Sequence, residues 1–205
     1  MQIGGLQRSS LVDYPGSVSA VVFTQGCNFR CPYCHNPQLV EPSLFEPLLD
    51  AAGVLSFLES RVGRIGGVVV SGGEPLLHDD LPDFLDTLKG LGFSVKLDTN
   101  GSLPERLGAV LAARLADFVA MDIKAPLHKY QRVSGVSADT DAIQASIRII
   151  RESGIDHQFR TTMAEMLLDS ADIQSIRQDL VGTSRHVVQV MNSRAVLLDR
   201  SLSAA

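Results

Sequence analysis

The sequence has no tryptophan and only three cysteines, all within residues 27–34. An odd number of thiols in one short window does not build a disulfide framework. In a reducing compartment such a group binds metal or does redox chemistry. A basic excess is also missing: 18 Lys and Arg stand against 23 Asp and Glu, a formal net charge of −5, with no cationic run. That balance excludes a general attraction to nucleic acid or to an anionic membrane surface. No apolar stretch approaches the roughly 18 residues of a membrane span. The opening MQIGGLQRSSLVDYPG lacks a basic segment followed by an apolar run. It does not read as a signal peptide, and a cytoplasmic location is expected. Repeats, low-complexity tracts and linkers are absent, so a single domain over residues 1–205 is expected.

What is present is enough to fold. Hydrophobic residues make up 45% of the 205, a globular share, and the length supports a core without disulfides. Strand-like and helix-like segments alternate. Val18 to Thr24 is rich in β-branched residues and reads as a strand. Phe45 to Val62 carries Leu48, Leu49, Ala52, Leu55 and Leu58 at helical spacing. Strands follow at Val68–Val70, Phe93–Leu97, Asp117–Ile123, 157–163 and 186–191. Helices are expected at Asp80–Leu91, Pro104–Leu115, Ser137–Glu152 and 170–180, and the Ser201–Ala205 tail is expected to fray. This order implies an α/β fold with a parallel sheet. Periodicity alone leaves open whether six such units curl into a partial barrel or form an open doubly wound sheet.

The unusual polar residues fall where strands end. Cys27 follows the first strand, Gly72-Gly73-Glu74 the second, Asp98-Thr99-Asn100 the third, and Asp122 and Lys124 close the fourth; Arg160 lies within the fifth. Ligands of parallel α/β folds bind at the carboxyl ends of strands, so these segments aim at one face.

The cysteines read Cys27-Asn28-Phe29-Arg30-Cys31-Pro32-Tyr33-Cys34-His35-Asn36, a C-x3-C-x2-C spacing. A loop of this length can wrap three thiolates around one iron–sulfur cubane. No fourth cysteine exists, which would leave one iron open to another ligand. Two other readings share the string: zinc on three Cys plus His35, and c-type haem attachment at Cys31-Pro32-Tyr33-Cys34-His35.

With the aromatic Tyr33 before the last cysteine, this motif resembles that of the radical S-adenosylmethionine (SAM) superfamily. Gly72-Gly73-Glu74-Pro75 is similar to the family's GGE motif. Cys34-His35-Asn36, Leu97 through Gly101 and Asp122-Ile123-Lys124 resemble the activating enzymes of glycyl radical enzymes. The stretch from Ser10 through Pro37 looks most like those that serve anaerobic ribonucleoside-triphosphate reductase.

The resemblance implies a partial (β/α)6 TIM-like barrel with parallel strands. It implies a [4Fe–4S] cluster on Cys27, Cys31 and Cys34, with SAM chelating the open iron. Tyr33 would lie beside the adenine, and Gly72, Gly73 and Glu74 at the SAM amino group. Asp122 and Lys124 would lie near its methionine and ribose. Asp98 and Thr99, with the Ala120 carbonyl, match a site for a monovalent cation. The activity implied is reductive cleavage of SAM to a 5′-deoxyadenosyl radical that makes a glycyl radical on a partner enzyme, with a flavodoxin- or ferredoxin-type electron donor. No side chain need act as general base. The expected polar residue on a late strand would be Gln189 or Asn192. Two alternatives stay open: a radical SAM enzyme acting on a small molecule, as 7-carboxy-7-deazaguanine synthase does, and a non-catalytic zinc- or cluster-binding module.

Overall fold

The computed structural model describes residues 1–192 and 197–199; Ser201 to Ala205 lie outside the described residues. Seven strands form one sheet in chain order: β1 (Ile3–Tyr14), β2 (Ser17–Thr24), β3 (Gly67–Gly72), β4 (Ser94–Thr99), β5 (Phe118–Asp122), β6 (Asp156–Met163) and β7 (His186–Val190). β2 to β7 pair parallel, and β1 runs antiparallel along β2. Between them lie α1 (Ala51–Glu59), α2 (Leu81–Gly90), α3 (Pro104–Ala112), α4 (Tyr130–Ser134), α5 (Thr140–Glu152) and α6 (Ser170–Ser175). A doubly wound sheet reverses its strand order at a switch point. Here each strand simply adds beside the last, and the sheet curls into a half-barrel, the partial barrel rather than the open alternative.

Period-two alternation divides the strands into two faces. Val68, Val70, Val95, Leu97, Val119, Met121 and Phe159 point to the helix side and join the core with Leu85, Leu88, Leu107 and Ile147. Their strand neighbours on the concave side include Ser71, Lys96, Asp98, Asp122 and Arg160, placed in adjoining rows by the parallel register. The outer face therefore carries the apolar packing, and the inner face carries the charged side chains beside small and apolar ones such as Val69 and Ala120.

The structure departs from the sequence reading at four places. β1 was not expected, because Gly4-Gly5 and Ser9-Ser10 break any apolar alternation; it is a largely half-exposed edge strand. The first helix begins only at Ala51, where Asp50 accepts the Gly53 N–H at 2.9 Å. The residues before it are drawn off: Pro47 disfavours helix at Glu46, and Leu49 N–H bonds the Ile3 carbonyl at 2.8 Å. The last helix is split, with α6 widening into a π-helical turn over Ile176–Val181. α4 is five residues long, too short to show a period. No helix among the described residues is long and apolar enough to cross a membrane.

Candidate functional site

The cysteine loop leaves β2 at Gln25 and is tied on several sides. Gly26 N–H bonds the Leu39 carbonyl at 2.7 Å, and Arg30 N–H bonds the Ser134 carbonyl at 2.8 Å. The Arg30 guanidinium donates back to the carbonyls of Cys27 (2.6 Å) and Phe29 (2.8 Å). Phe29 meets Tyr130 edge-on, with centroids 6.4 Å apart. The short α4 thus braces the loop from below, a role that no sequence period announced. From the far end of the chain, Leu198 N–H reaches the Cys34 carbonyl at 3.1 Å and Asp199 N–H the Pro32 carbonyl at 2.9 Å.

The glycine turn after β3 closes onto the start of the same loop. Gly73 N–H bonds the Thr24 carbonyl and Glu74 N–H the Gly26 carbonyl, each at 2.9 Å. Gly72 has φ +116°, and a Cβ on Gly73 would run into the Gly26 carbonyl. Both positions therefore require glycine. Glu74 turns away from the cavity. Its buried carboxylate takes Leu76 N–H at 3.1 Å, the Thr99 hydroxyl at 2.9 Å and Asn100 N–H at 2.6 Å. Burial pushes this carboxyl up to about 7, against the pull of those three donors. Its side chain locks the turn to the end of β4.

A row of charges crosses the concave face. The Lys96 ammonium pairs with Asp98 Oδ1; Lys96 is only 1% exposed. Asp98 Oδ2 accepts from Ser71 Oγ and from the Arg160 guanidinium, each at 3.0 Å. Arg160 Nε also reaches Asp122 Oδ1 at 2.8 Å, and Lys124 Nζ reaches Asp122 Oδ2 at 2.9 Å. Burial would raise the Asp122 carboxyl, but Arg160 and Lys124 outweigh it and hold it well below the carboxylate range. Arg160 thus pairs with two carboxylates at the mouth. Lys96 was not expected at all; its signal was a lysine between Val95 and Leu97 on a central strand.

These pieces surround one cavity of about 310 Å³. Cys27, Cys31, Cys34, Tyr33, Gly72, Gly73, Asp98, Thr99, Asp122 and Lys124 all line it; Glu74 does not. Gln189 faces it from β7, while Asn192 lies outside its lining and gives its backbone N–H to His35 at 3.2 Å. The residues present suit a cluster. Burial raises all three thiols, Cys27 up to about 12, while the Lys124 ammonium pulls each one back toward the anion. Such thiols wait for a metal charge to deprotonate them. Among the described residues no three His, Cys, Asp or Glu converge tightly enough for a single ion. The three thiols reach the cavity from one short loop, the donor set that an iron–sulfur cluster takes. The Tyr33 hydroxyl is buried and makes no well-formed hydrogen bond. A cavity with an unused donor in its wall suits a polar ligand.

The same stretch of chain matches known proteins. The Radical SAM superfamily model matches residues 21–178. A Methanocaldococcus jannaschii protein, provisionally named as a glycyl-radical enzyme activating enzyme, is 32% identical over 193 residues, covering 91% of this chain and 78% of that protein. The 7-carboxy-7-deazaguanine synthase of Methanopyrus kandleri is 37% identical over 134 residues, 56% of this chain. The chain spans only 52% of that synthase. Among solved structures, a domain of a pyruvate-formate lyase-activating enzyme from Bacteroides vulgatus superposes with a TM-score of 0.53 at 23% identity, covering 67% of this chain and 90% of that one. At that identity the likeness is one of fold.

Proposed function

The chain belongs to the radical SAM superfamily, and on that premise we propose that it generates a glycyl radical on a partner enzyme, an anaerobic ribonucleoside-triphosphate reductase. It is a radical SAM enzyme, and the family uses a [4Fe–4S] cluster and SAM. When bound, a reduced cluster would supply the one electron that cleaves SAM to methionine and a 5′-deoxyadenosyl radical, the group that would take a hydrogen atom from a glycine Cα. One observation carries the activating reading. Likeness to the archaeal relative runs over 91% of the chain, through the late strands, whereas likeness to the synthase covers 56%.

In this reading Cys27, Cys31 and Cys34 hold the cluster. Lys124, already paired with Asp122, meets the SAM carboxylate with a second of its three donors. Gly72 and Gly73 keep the wall free of side chains, so that the backbone reaches the SAM amino group. Tyr33 lies along the adenine. Asp122 and Lys124 border the ribose and methionine, and Asp98 and Thr99 lie beside SAM. β1 and β7 are the two edges of the curled sheet, and the gap between them admits a loop of the partner. A flavodoxin- or ferredoxin-type protein delivers the electron.

Anaerobic reconstitution should give about four irons per chain, and dithionite with SAM should yield 5′-deoxyadenosine. Mixing with the reductase should then give the doublet of a glycyl radical in electron paramagnetic resonance. SAM cleavage without that doublet, but with turnover of a small molecule, would favour the synthase reading, which the 37% identity to a synthase supports. Iron-free protein with one tight zinc would sink both.

A further inference from the structure

The resemblance that pointed to SAM also implied a monovalent cation beside Asp98 and Thr99. The residues present do not fit one. Both oxygens of Asp98 are occupied, one by the Lys96 ammonium and the other by Ser71 and Arg160 at 3.0 Å each. Asp122 is likewise bound on both oxygens, by Arg160 and Lys124. Three side-chain cations therefore face two carboxylates, and the row already sums to one positive charge. An added metal ion would lose its water and meet three like charges. The Lys96 side chain is 1% exposed, so its ammonium has no solvent to retreat into. A lysine buried to that degree persists only when paired.

We propose that Lys96 supplies, as a fixed side chain, the positive charge that a bound monovalent cation would otherwise supply at Asp98. The pocket then works without potassium or sodium. Lys96 acts through Asp98 and is a positioning residue: it holds the carboxylate against Ser71 and Arg160 with no exchangeable ion. The surplus charge of the row lies at its Lys124 end, which lines the cavity and complements an incoming carboxylate. The affinity part of the test rests on the SAM reading of the cavity; the melting part does not.

The test compares potassium, sodium and choline chlorides at one ionic strength, using the melting temperature of the apo-chain and the SAM affinity of the reconstituted protein. The native chain should melt alike in all three salts, with SAM affinities within about twofold. Lys96→Met keeps an unbranched side chain but frees one Asp98 oxygen. In it, potassium or sodium should raise the melting temperature over choline and tighten SAM binding about tenfold. Lys96→Arg should stay indifferent to the salt. Native protein that melts earlier or loses SAM in choline would overturn the proposal, as would a folded Lys96→Met variant blind to the cation. If that variant does not fold, the native comparison decides alone. Native protein that binds SAM in no salt, yet melts alike in all three while Lys96→Met responds, would count against the SAM reading and leave this inference standing.

Discussion

Glu74 accepts the Asn100 backbone N–H at 2.6 Å, and this bond joins the turn after β3 to the end of β4 behind the cavity wall. Because the carboxyl is buried and pushed up to about 7, from an ordinary 4.5, the bond carries a pH signature. Between those values the folded chain keeps a proton that the unfolded chain has released. The contribution of Glu74 is thus fully present below about 4.5 and is lost as pH rises through about 7. The loss is on the order of 3 kcal/mol over that window. His78 and His186, both held low by burial, add a slope of the opposite sign that a Glu74 variant shares. Urea unfolding of the apo-chain across this range should show the native loss, and Glu74→Gln should remove it. An unchanged difference between the two proteins across pH would refute the assignment.

Cys31→Ala should lose the cluster and SAM cleavage together while the apo-fold survives. Cys31 is buried beside the Tyr33 ring, and trimming one thiol costs about 1 kcal/mol. Iron analysis and circular dichroism check this. Retention of about four irons per chain would show that the loop is not the ligand set.

Gly73→Ala should harm the site more than its size implies. The new methyl meets the Gly26 carbonyl, which is backbone and cannot swing aside. The turn must then part from the cysteine loop, at a cost of about 1–3 kcal/mol. Thermal melts should fall, and iron retention after reconstitution should fall with them. Gly90→Ala, where a Cβ meets nothing within 4 Å, is the control and should stay near native.

Tyr130 separates packing from hydrogen bonding. Its hydroxyl accepts the Lys124 backbone N–H at 3.3 Å, and its ring packs on Phe29. Tyr130→Phe should cost about 1 kcal/mol. Tyr130→Ala should cost about 3–5 kcal/mol and loosen the cysteine loop, because α4 loses its one large anchor there. Equal losses in the two variants would mean that the ring does not support the loop.

Much of the fold was legible in the sequence, because a parallel strand buried on both faces reads as an apolar run: Val68-Val69-Val70 is such a run and became β3. Alternation in Val95-Lys96-Leu97-Asp98 already held both faces of β4, but the lysine drew no notice, since a charge in a strand usually points to water. β1 was hidden by its glycines and serines, which pair through backbone alone. The gathering of Cys27, Gly73, Asp98 and Lys124 around one cavity followed from strand ends, which a one-dimensional pattern locates well. The direction in which Glu74 points was not legible. That depends on Asn100 and Thr99, some 25 residues away, whose positions only the folded register sets.

The backbone bonds from Leu198 to Cys34 and from Asp199 to Pro32 have a temporal side. A ribosome delivers the cysteine loop more than 160 residues before the segment that covers it. Throughout that interval the loop lacks those two bonds. Metallation during synthesis would therefore meet a loop not yet tied to the far end of the chain, whereas in the finished chain two further backbone bonds hold it.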